Sequence, residues 1–342
     1  MFETNLDQPR GKVFDQEKIT PNFDQIIRSE VTQPYVIPGE NGPIGFFCHK
    51  GLSDKKYNED TLVINQRVNA FASIDGMGGA GGPYDGKKAA DILAGELQKF
   101  FRKGWNLNKI NSIASEKMKQ NGINKGGVCY LAGKITNNLL EVYQAGDVRL
   151  IVINKHNRLN FETKDERPSF RDENGRPLKA FRHLVSNAVS GNNQGEVTYS
   201  HVRLDYGDRI IAASDGLWDN FSTEQVINIV QKQKTAEALR KLNDLTLRKM
   251  GSSLGKKDNI NVLIYDYLKP SLKISLSEAQ NFGELYKIIN QIGQIKGSEY
   301  IYSGKDLIKI INLVRQGKAP PKAITRTEGL RKKVENLLWA KS

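Results

Sequence analysis

The feature that most constrains the fold is a run of apolar segments joined by tight turns in the middle of the chain. "GVCYLAGKI", "LLEVYQ" and "VRLIVIN" follow one another between residues 127 and 154, and all three are rich in β-branched or aromatic residues. Asn137-Asn138 separates the first two segments, and such a pair is typical of a turn. Strands this close in sequence leave no room for crossover helices, so the sequence predicts an antiparallel meander.

Strands and amphipathic helices are predicted on both sides of this meander. Further strands are expected near residues 43–51, 61–66, 67–75, 197–213 and 260–267. Helices are expected from about Lys87, from Ser222 to about Lys232 and from Thr235 to Met250, with Ser222 and Gln225 forming a capping box. The first helix has one apolar face, made of Ala90, Leu93, Ala94, Leu97 and Phe101. The mixture predicts an α+β protein.

Composition divides the 342 residues into three parts. Residues 1–41 are polar, contain several prolines and are interpreted as an N-terminal arm. Residues 42–268 hold the predicted strands and helices and form the main domain, in which the polar stretch of about 165–195 is expected to be a functional loop. After Pro270, residues 271–342 contain three short amphipathic stretches and are predicted to form a small helical module.

The net charge is +13, and residues 271–342 carry more than twice as many basic as acidic side chains. A basic segment attracts anionic membranes or acidic proteins, so the C-terminal module is expected to bind one of these or to be a solvated surface; no nucleic acid is expected.

Cys48 and Cys129 lie in apolar segments, and no disulfide is expected. No apolar run reaches the roughly 18–20 residues of a membrane span, and no secretory signal is recognisable, so the expected location is the cytoplasm.

The glycine-rich stretch "SIDGMGGAGGPYDGKKAADIL", residues 73–93, allows two interpretations. From Gly81 it resembles a phosphate-binding P-loop, but Lys88 stands where a Ser or Thr should hold magnesium. From Asp75 it is a carboxylate at the end of an apolar strand, followed by a tight turn. Because P-loops lie in mostly parallel sheets, the predicted meander favours the second interpretation.

Several carboxylates share this position at the edge of an apolar strand. They are Asp60 with the preceding Glu59, Asp75, Asp215 and Asp258. One Asp beside a glycine is an ordinary turn, and Asp147 and Asp208 are interpreted in that way. Four such carboxylates that converge would repel one another unless a divalent cation lay between them, and an all-oxygen set suits Mg²⁺ or Mn²⁺.

The ordered set of motifs resembles the metal-dependent protein phosphatases of the PPM family, also called type 2C. The resemblance covers roughly residues 42–268 and implies a four-layer αββα sandwich of two antiparallel sheets. The matching motifs are "NED" (58–60), "DGMGG" (75–79), "GDVR" (146–149), "SNAVSG" (186–191), "ASDGLWD" (213–219) and "KDNINVLIY" (257–265).

The resemblance also implies roles for individual residues. Asp75 would bridge two Mg²⁺ or Mn²⁺ ions that share an attacking hydroxide, and the Gly76 carbonyl would bind one of them. Glu59 would hold that same ion and Asp60 would act through a water, while Asp215 and Asp258 would complete the other site. Asp219 corresponds to a ligand of a third metal in the family. No second aspartate for that third metal is evident, and Asn121 and Asn124 are the nearest polar residues.

Other positions depart from the family pattern. Lys55 stands where the family has an arginine that binds the substrate phosphate, and a lysine keeps the charge but not the two-pronged geometry. The family's "GTT" is replaced by Gly126, Gly127 and Val128, and the loop after Gly79 is altered.

The implied function is hydrolysis of phosphoserine or phosphothreonine in a protein substrate that faces the loop of residues 165–195. The alternative is a catalytically weak pseudophosphatase that serves as a binding module. The segment "ITRTEGLRKKV", residues 324–334, is similar to short C-terminal modules of effector proteins that intracellular bacteria inject into host cells. That similarity implies an alternative location inside a host cell.

Overall fold

The structure is a computed structural model that describes residues 24–27, 30–78, 82, 84–103, 106–168 and 185–268. The strands are β1 (Asp24–Ile27), β2 (Val31–Gly39), β3 (Gly42–His49), β4 (Thr61–Asn65), β5 (Ala70–Met77), β6 (Gly127–Thr136), β7 (Leu139–Ala145), β8 (Arg149–Ile153), β9 (Leu159–Glu162), β10 (Val189–Ser190), β11 (Thr198–Arg203), β12 (Asp208–Ala213) and β13 (Ile260–Tyr267). The helices are α1 (Asp85–Lys103), α2 (Leu107–Gln120), α3 (Asp215–Trp218), α4 (Thr223–Val230) and α5 (Thr235–Met250).

The strands form two antiparallel sheets. Sheet A has the order β1-β4-β5-β6-β7-β11, with the short β10 paired to β6. Sheet B has the order β2-β3-β13-β12-β8-β9. The predicted meander is found as β6, β7 and β8, but its third strand crosses to sheet B. Asn137, at the turn between β6 and β7, has the positive φ of 58° that such a turn requires.

Three apolar clusters arrange these elements in four layers. One fills the space between the two sheets and includes Phe46, Leu131 and Tyr265. A second joins sheet A to α1 and α2, and a third joins sheet B to the other three helices. The predicted apolar face of α1 is buried in the second cluster. The predicted fold class, an α+β sandwich with two antiparallel sheets, is confirmed for the described residues.

Polar side chains occupy one end of the inter-sheet core, on the same strand faces as the apolar core residues. In β13, Leu263 and Tyr265 lie in that core, and Asn261 faces the same way because side chains alternate with a period of two. In β5, Phe71 belongs to the same core, and Ser73 and Asp75 follow on its face. The Ser73 hydroxyl donates to Asn261 Oδ1 over 2.5 Å, which joins the two sheets at this end.

Several local predictions are confirmed and others lie outside the described residues. The capping box of Ser222 and Gln225 is present, and α5 and β13 have the predicted bounds. β1 and β2 both come from the segment interpreted as an arm, and each forms an edge strand of one sheet. The chain divides between Lys269 and Pro270 into two units. The predicted helical module belongs to the second unit, which lies outside the described residues. No helix in the described ranges is long and apolar enough to cross a membrane.

Candidate metal centre

The predicted carboxylates meet at the polar end of the inter-sheet core, and they come from both sheets. From sheet A come Glu59 and Asp60, which precede β4, and Asp75 in β5. From sheet B come Asp215, which begins α3 after β12, and Asp258, which precedes β13. Segments that are far apart in sequence therefore supply one group of acidic side chains.

Asp60 is held rigidly in this group. It is only 1% exposed, and its Oδ2 accepts hydrogen bonds from the Ser214 hydroxyl at 2.6 Å and from Asn261 Nδ2 at 3.1 Å. Burial raises the pKa of Asp60 to about 8, although the bond from Ser214 and the charge of Lys55 act in the opposite direction. The carboxyl group thus lies next to sheet B, and no cationic side chain in the described part of the chain pairs directly with it.

The negative charge of Asp75 is compensated even less than that of Asp60. No described residue donates a hydrogen bond to its carboxylate. Burial is the main cause that raises its pKa well above the usual range, and the nearby charges of Asp215, Asp60 and Asp147 raise it further. A partly buried carboxylate surrounded by three others is costly unless a cation neutralises it. The electrostatics of Asp75 therefore indicate a cation site.

Glycines of the Gly-rich stretch bring β5 and α1 close together beside Glu59. A Cβ on Gly76 would lie 2.4 Å from the Gly86 carbonyl oxygen, and a Cβ on Gly86 would lie 2.6 Å from Glu59 Oε1. Lys87, in the first turn of α1, pairs with Asp91 at 2.9 Å. α1 packs on an antiparallel sheet, so the P-loop interpretation finds no support, and the glycines serve close packing beside Glu59.

Lys55 lies at the edge of the group. Its ammonium nitrogen is 2.8 Å from Glu59 Oε2 and 3.3 Å from Asp258 Oδ1, and its side chain is 37% exposed. Although burial lowers the pKa of Lys55, the negative charges of Asp258 and Asp75 outweigh that effect and raise it. The ammonium group therefore contacts the carboxylates and still reaches solvent, as a phosphate-binding group would need to.

A second lysine, which the sequence analysis missed, lies among the carboxylates of sheet B. Lys256 Nζ is 2.5 Å from Asp215 Oδ2, 2.8 Å from Asp219 Oδ2 and 3.3 Å from Asp258 Oδ2. Burial raises the pKa of Asp215 to about 6, and the charge of Lys256 opposes this rise. Lys256 lies directly before Lys257 and the "DN" of a family motif, but the sequence alone does not indicate which of the two lysines points inward.

Asp147 and Arg167 were also missed. The turn before Asp147 is real, since Gly146 has a φ of 105°, but the carboxylate does more than end a turn. It binds Arg167, with Nη2 to Oδ2 at 2.9 Å, and it raises the pKa of Asp75. Arg167 Nη1 in turn binds Asp219 Oδ1 at 3.0 Å. The interpretation of Asp147 as an ordinary turn residue was therefore incomplete.

The residues present suit divalent metal, although side-chain cations hold several of them. No group of three or more acidic, histidine or cysteine side chains in the described ranges is arranged to hold a metal ion as it stands. Instead, carboxylate oxygens pair with Lys55, Lys256 and Arg167. The donor set consists only of oxygen, and no cationic side chain among the described residues pairs directly with the buried Asp60 or the partly buried Asp75. Both observations fit Mg²⁺ or Mn²⁺.

Known proteins with similar sequences are protein phosphatases. The chain is 27% identical over 256 residues to "Probable protein phosphatase 2C 2" of Arabidopsis thaliana, covering 64% of this chain and 65% of that protein. It is 29% identical over 231 residues to the serine/threonine protein phosphatase PstP of Mycobacterium tuberculosis, covering 61% of this chain and 42% of that one. The chain thus spans less than two thirds of either relative's length. No family model matches the chain.

Solved structures share the fold of the described residues. The crystal structure of PstP from Mycobacterium tuberculosis has a TM-score of 0.56 at 24% identity, covering 66% of this chain and 98% of that one. A PstP catalytic domain in complex with two manganese ions has a TM-score of 0.54 at 23% identity, with the same shares covered. The PPM Ser-Thr phosphatase MsPP from Mycobacterium smegmatis has a TM-score of 0.52 at 18% identity, covering 65% and 97%.

The four-layer sandwich of the described residues is similar to the fold of solved PPM phosphatases. The resemblance read from the ordered motifs is confirmed by the sequence relatives and by the shared fold.

Proposed function

We propose that the chain is a metal-dependent protein phosphatase that hydrolyses phosphoserine or phosphothreonine esters with two Mg²⁺ or Mn²⁺ ions. The observation that carries the proposal is the meeting of Glu59, Asp60 and Asp75 from sheet A with Asp215 and Asp258 from sheet B. A sequence relative named a serine/threonine protein phosphatase and another named a probable protein phosphatase 2C support it.

Each carboxylate has a role in this proposal that fits its surroundings. Asp75, without a hydrogen-bond donor among the described residues, is suited to hold both metals, together with the carbonyl of Gly76. Glu59 and Asp60 would complete one side, and Asp215 and Asp258 the other. Two divalent ions bound there would supply a water-derived nucleophile at neutral pH and neutralise the charge of the phosphate ester.

The other groups of the site would position these ligands and the substrate. Ser214 and Asn261 both donate hydrogen bonds to Oδ2 of Asp60. These two bonds fix the orientation of the carboxyl group and therefore the position of its other oxygen, Oδ1. Lys55 faces both the carboxylates and solvent and would bind a substrate phosphate. Since it offers a single ammonium group instead of a guanidinium fork, we expect weaker substrate binding, not loss of the reaction.

The test is Mn²⁺-dependent hydrolysis of a serine phosphopeptide by wild type, D75A and D215A. We expect both variants to lose Mn²⁺-dependent activity by at least about a hundredfold, because each removes a metal ligand. D244A is the matched control, since Asp244 is an exposed residue of α5, a helix that supplies none of the proposed ligands, and it should retain full activity. Manganese-loaded wild type that hydrolyses neither the phosphopeptide nor p-nitrophenyl phosphate would contradict the proposal.

The second candidate is the pseudophosphatase that acts as a binding module. The ion pairs of Lys55 and Lys256 with the carboxylates favour it, because an ammonium group can neutralise these charges without metal. Calorimetric titration with Mn²⁺ separates the two candidates: saturable binding supports the enzyme, and its absence supports the binding module.

A further inference from the structure

Asp219 has a cationic side chain on each of its two carboxylate oxygens. Arg167 Nη1 lies 3.0 Å from Oδ1, and Lys256 Nζ lies 2.8 Å from Oδ2. The same lysine nitrogen is 2.5 Å from Asp215 and 3.3 Å from Asp258. One ammonium group thus contacts three carboxylates that come from two separate segments of the chain.

The backbone of Lys256 is fixed, so this position of its ammonium group is built into the fold. Asn220, the residue after Asp219, is 6% exposed and binds both backbone groups of Lys256. Its Nδ2 donates to the Lys256 carbonyl at 2.9 Å, and its Oδ1 accepts from the Lys256 amide at 3.0 Å. Nδ2 also donates to the carbonyl of Gly216 at 2.9 Å, which ties the clamp to α3. The side chain of Lys256 therefore starts from a defined point beside Asp215 and Asp219.

We propose that Lys256 is a resident cation of this site: its ammonium group takes the place of a further divalent ion beside Asp219, and it contacts Asp215 and Asp258, which the proposed function assigns to the second ion, through their Oδ2 atoms. Arg167 neutralises the other oxygen of Asp219 and completes the arrangement. The lysine thereby limits the number of divalent ions that the site binds and stabilises the metal-free fold. The inference rests on the proposed function only in taking Glu59, Asp60, Asp75, Asp215 and Asp258 as the ligands of two divalent ions.

The physical reason is the balance of charge in a partly buried cluster. Carboxylates this close to one another repel, and a cation fixed by the fold relieves the repulsion without the entropy cost of capturing an ion from solution. A divalent ion that enters between Asp215 and Asp219 must displace the ammonium group or accept its repulsion. The positive charge, more than the shape of the side chain, should therefore set the number of ions bound.

The test counts the Mn²⁺ ions bound per chain by K256A, K256R, K257A and the wild type. Equilibrium dialysis with metal analysis gives the stoichiometry, and calorimetry gives the affinity. We expect K256A to bind one more Mn²⁺ per chain than wild type. K256R keeps the charge and should bind as wild type does. K257A removes the same charge from the exposed neighbouring position and should also bind as wild type does.

The melting temperature of the metal-free proteins provides a readout that does not depend on catalysis. K256A should melt below K257A without metal, because it leaves Asp215 and Asp219 without this counter-ion. Added Mn²⁺ should raise the melting temperature of K256A by more than that of K257A. The same metal-free melting temperature for K256A and K257A, together with the same Mn²⁺ stoichiometry, would overturn the inference.

The outcomes also separate this inference from the proposed function. If wild type binds Mn²⁺ and K256A binds the same number of ions with the same affinity, only the inference fails. If wild type binds no Mn²⁺ but K256A does, the inference holds and the proposed function fails. If neither protein binds Mn²⁺, both fail.

Discussion

At the scale of single residues, the most informative group is the buried carboxyl of Asp60. Its hydrogen bonds come from the hydroxyl of Ser214 and the amide of Asn261, and none of the described cationic side chains contacts it directly. Burial raises its pKa to about 8. The group is therefore protonated in the metal-free protein over a pH range in which an unfolded chain would have ionised it.

This difference predicts how stability depends on pH. Because the pKa of Asp60 is higher in the folded state, the folded state binds the proton more tightly, and the stability that results is lost as pH rises from about 4 to about 8. We expect the melting temperature of metal-free wild type, relative to that of D60N, to fall between about pH 5 and pH 8, as measured by circular dichroism. Mn²⁺ binds the ionised group, so its stabilising effect should be greater at the higher pH.

A melting-temperature difference between wild type and D60N that stays constant across this pH range would show that the pKa of Asp60 is not raised in the folded state.

The acidic residues of the site could be predicted from sequence, but their cationic partners could not. Each carboxylate at a strand edge has a recognisable context, so Asp60, Asp75, Asp215 and Asp258 stood out. Asp147 shares its local pattern with ordinary turns, and only its tertiary neighbours distinguish it. Lys256 and Arg167 occur in segments that are rich in other basic residues. Which of these side chains points inward depends on tertiary contacts such as the Asn220 clamp.

At the scale of elements, the approach of α1 to β5 determines the shape of the site near Glu59. A methyl group on Gly86 would lie 2.6 Å from Glu59 Oε1 and 2.7 Å from Gly78 N. Neither contact can be accommodated without a shift of the backbone or of Glu59. The helix start and the carboxylate therefore depend on the absence of a side chain at this position.

Substitution of Gly86 by Ala should both destabilise the protein and weaken metal binding. Overpacking of this kind costs about 1–3 kcal/mol, which urea unfolding can measure. G95A is the matched control within the same helix, since a Cβ there meets nothing within 4 Å. Replacing that helical glycine should instead stabilise the protein by about 0.5–1 kcal/mol. Equal effects of the two substitutions on stability and on Mn²⁺ affinity would contradict the proposed role of Gly86.

Elements with a strong periodic pattern and clear ends were predictable, and the remainder were not. α5 and β13 have the bounds expected from their apolar spacing, and α4 begins at the predicted capping box. β2 contains Pro34 and Pro38, and only weak alternation distinguishes it, so its segment resembled a loop. It is a strand because β3 supplies its hydrogen-bonding partner, which is a tertiary effect.

At the scale of the whole molecule, all residues assigned to the metal centre lie between Lys55 and Asp258. The three apolar clusters of the described residues likewise contain only side chains from Ile26 to Tyr267. The region that precedes Pro270 therefore contains both a core and the proposed site.

A chain that ends at Leu268 should fold, bind the same number of Mn²⁺ ions as the full chain and hydrolyse p-nitrophenyl phosphate equally fast. Circular dichroism, metal analysis and a colorimetric assay measure these three properties. Loss of Mn²⁺ binding in a truncated chain that is still folded would show that the last 74 residues contribute to the site.

The basic C-terminal segment keeps the two roles proposed for it, namely binding of an acidic protein and binding of an anionic membrane. Vesicles that contain phosphatidylserine distinguish them, since the full chain should bind more than the truncated chain only if the membrane role is correct. A location in the cytoplasm or inside a host cell stays a prediction.

The carboxylates of the centre belong to two different sheets, and this division has a mechanical consequence. An ion that binds Asp75 of sheet A together with Asp215, which follows β12 of sheet B, would act as a cross-link between two halves of the sandwich, closing a loop of more than a hundred residues in the manner of a disulfide. Removal of the ion by a chelator would then have the same effect as reduction of a disulfide. Amide hydrogens of β5 and β12 would exchange faster once the ion is removed, before the outer helices loosen.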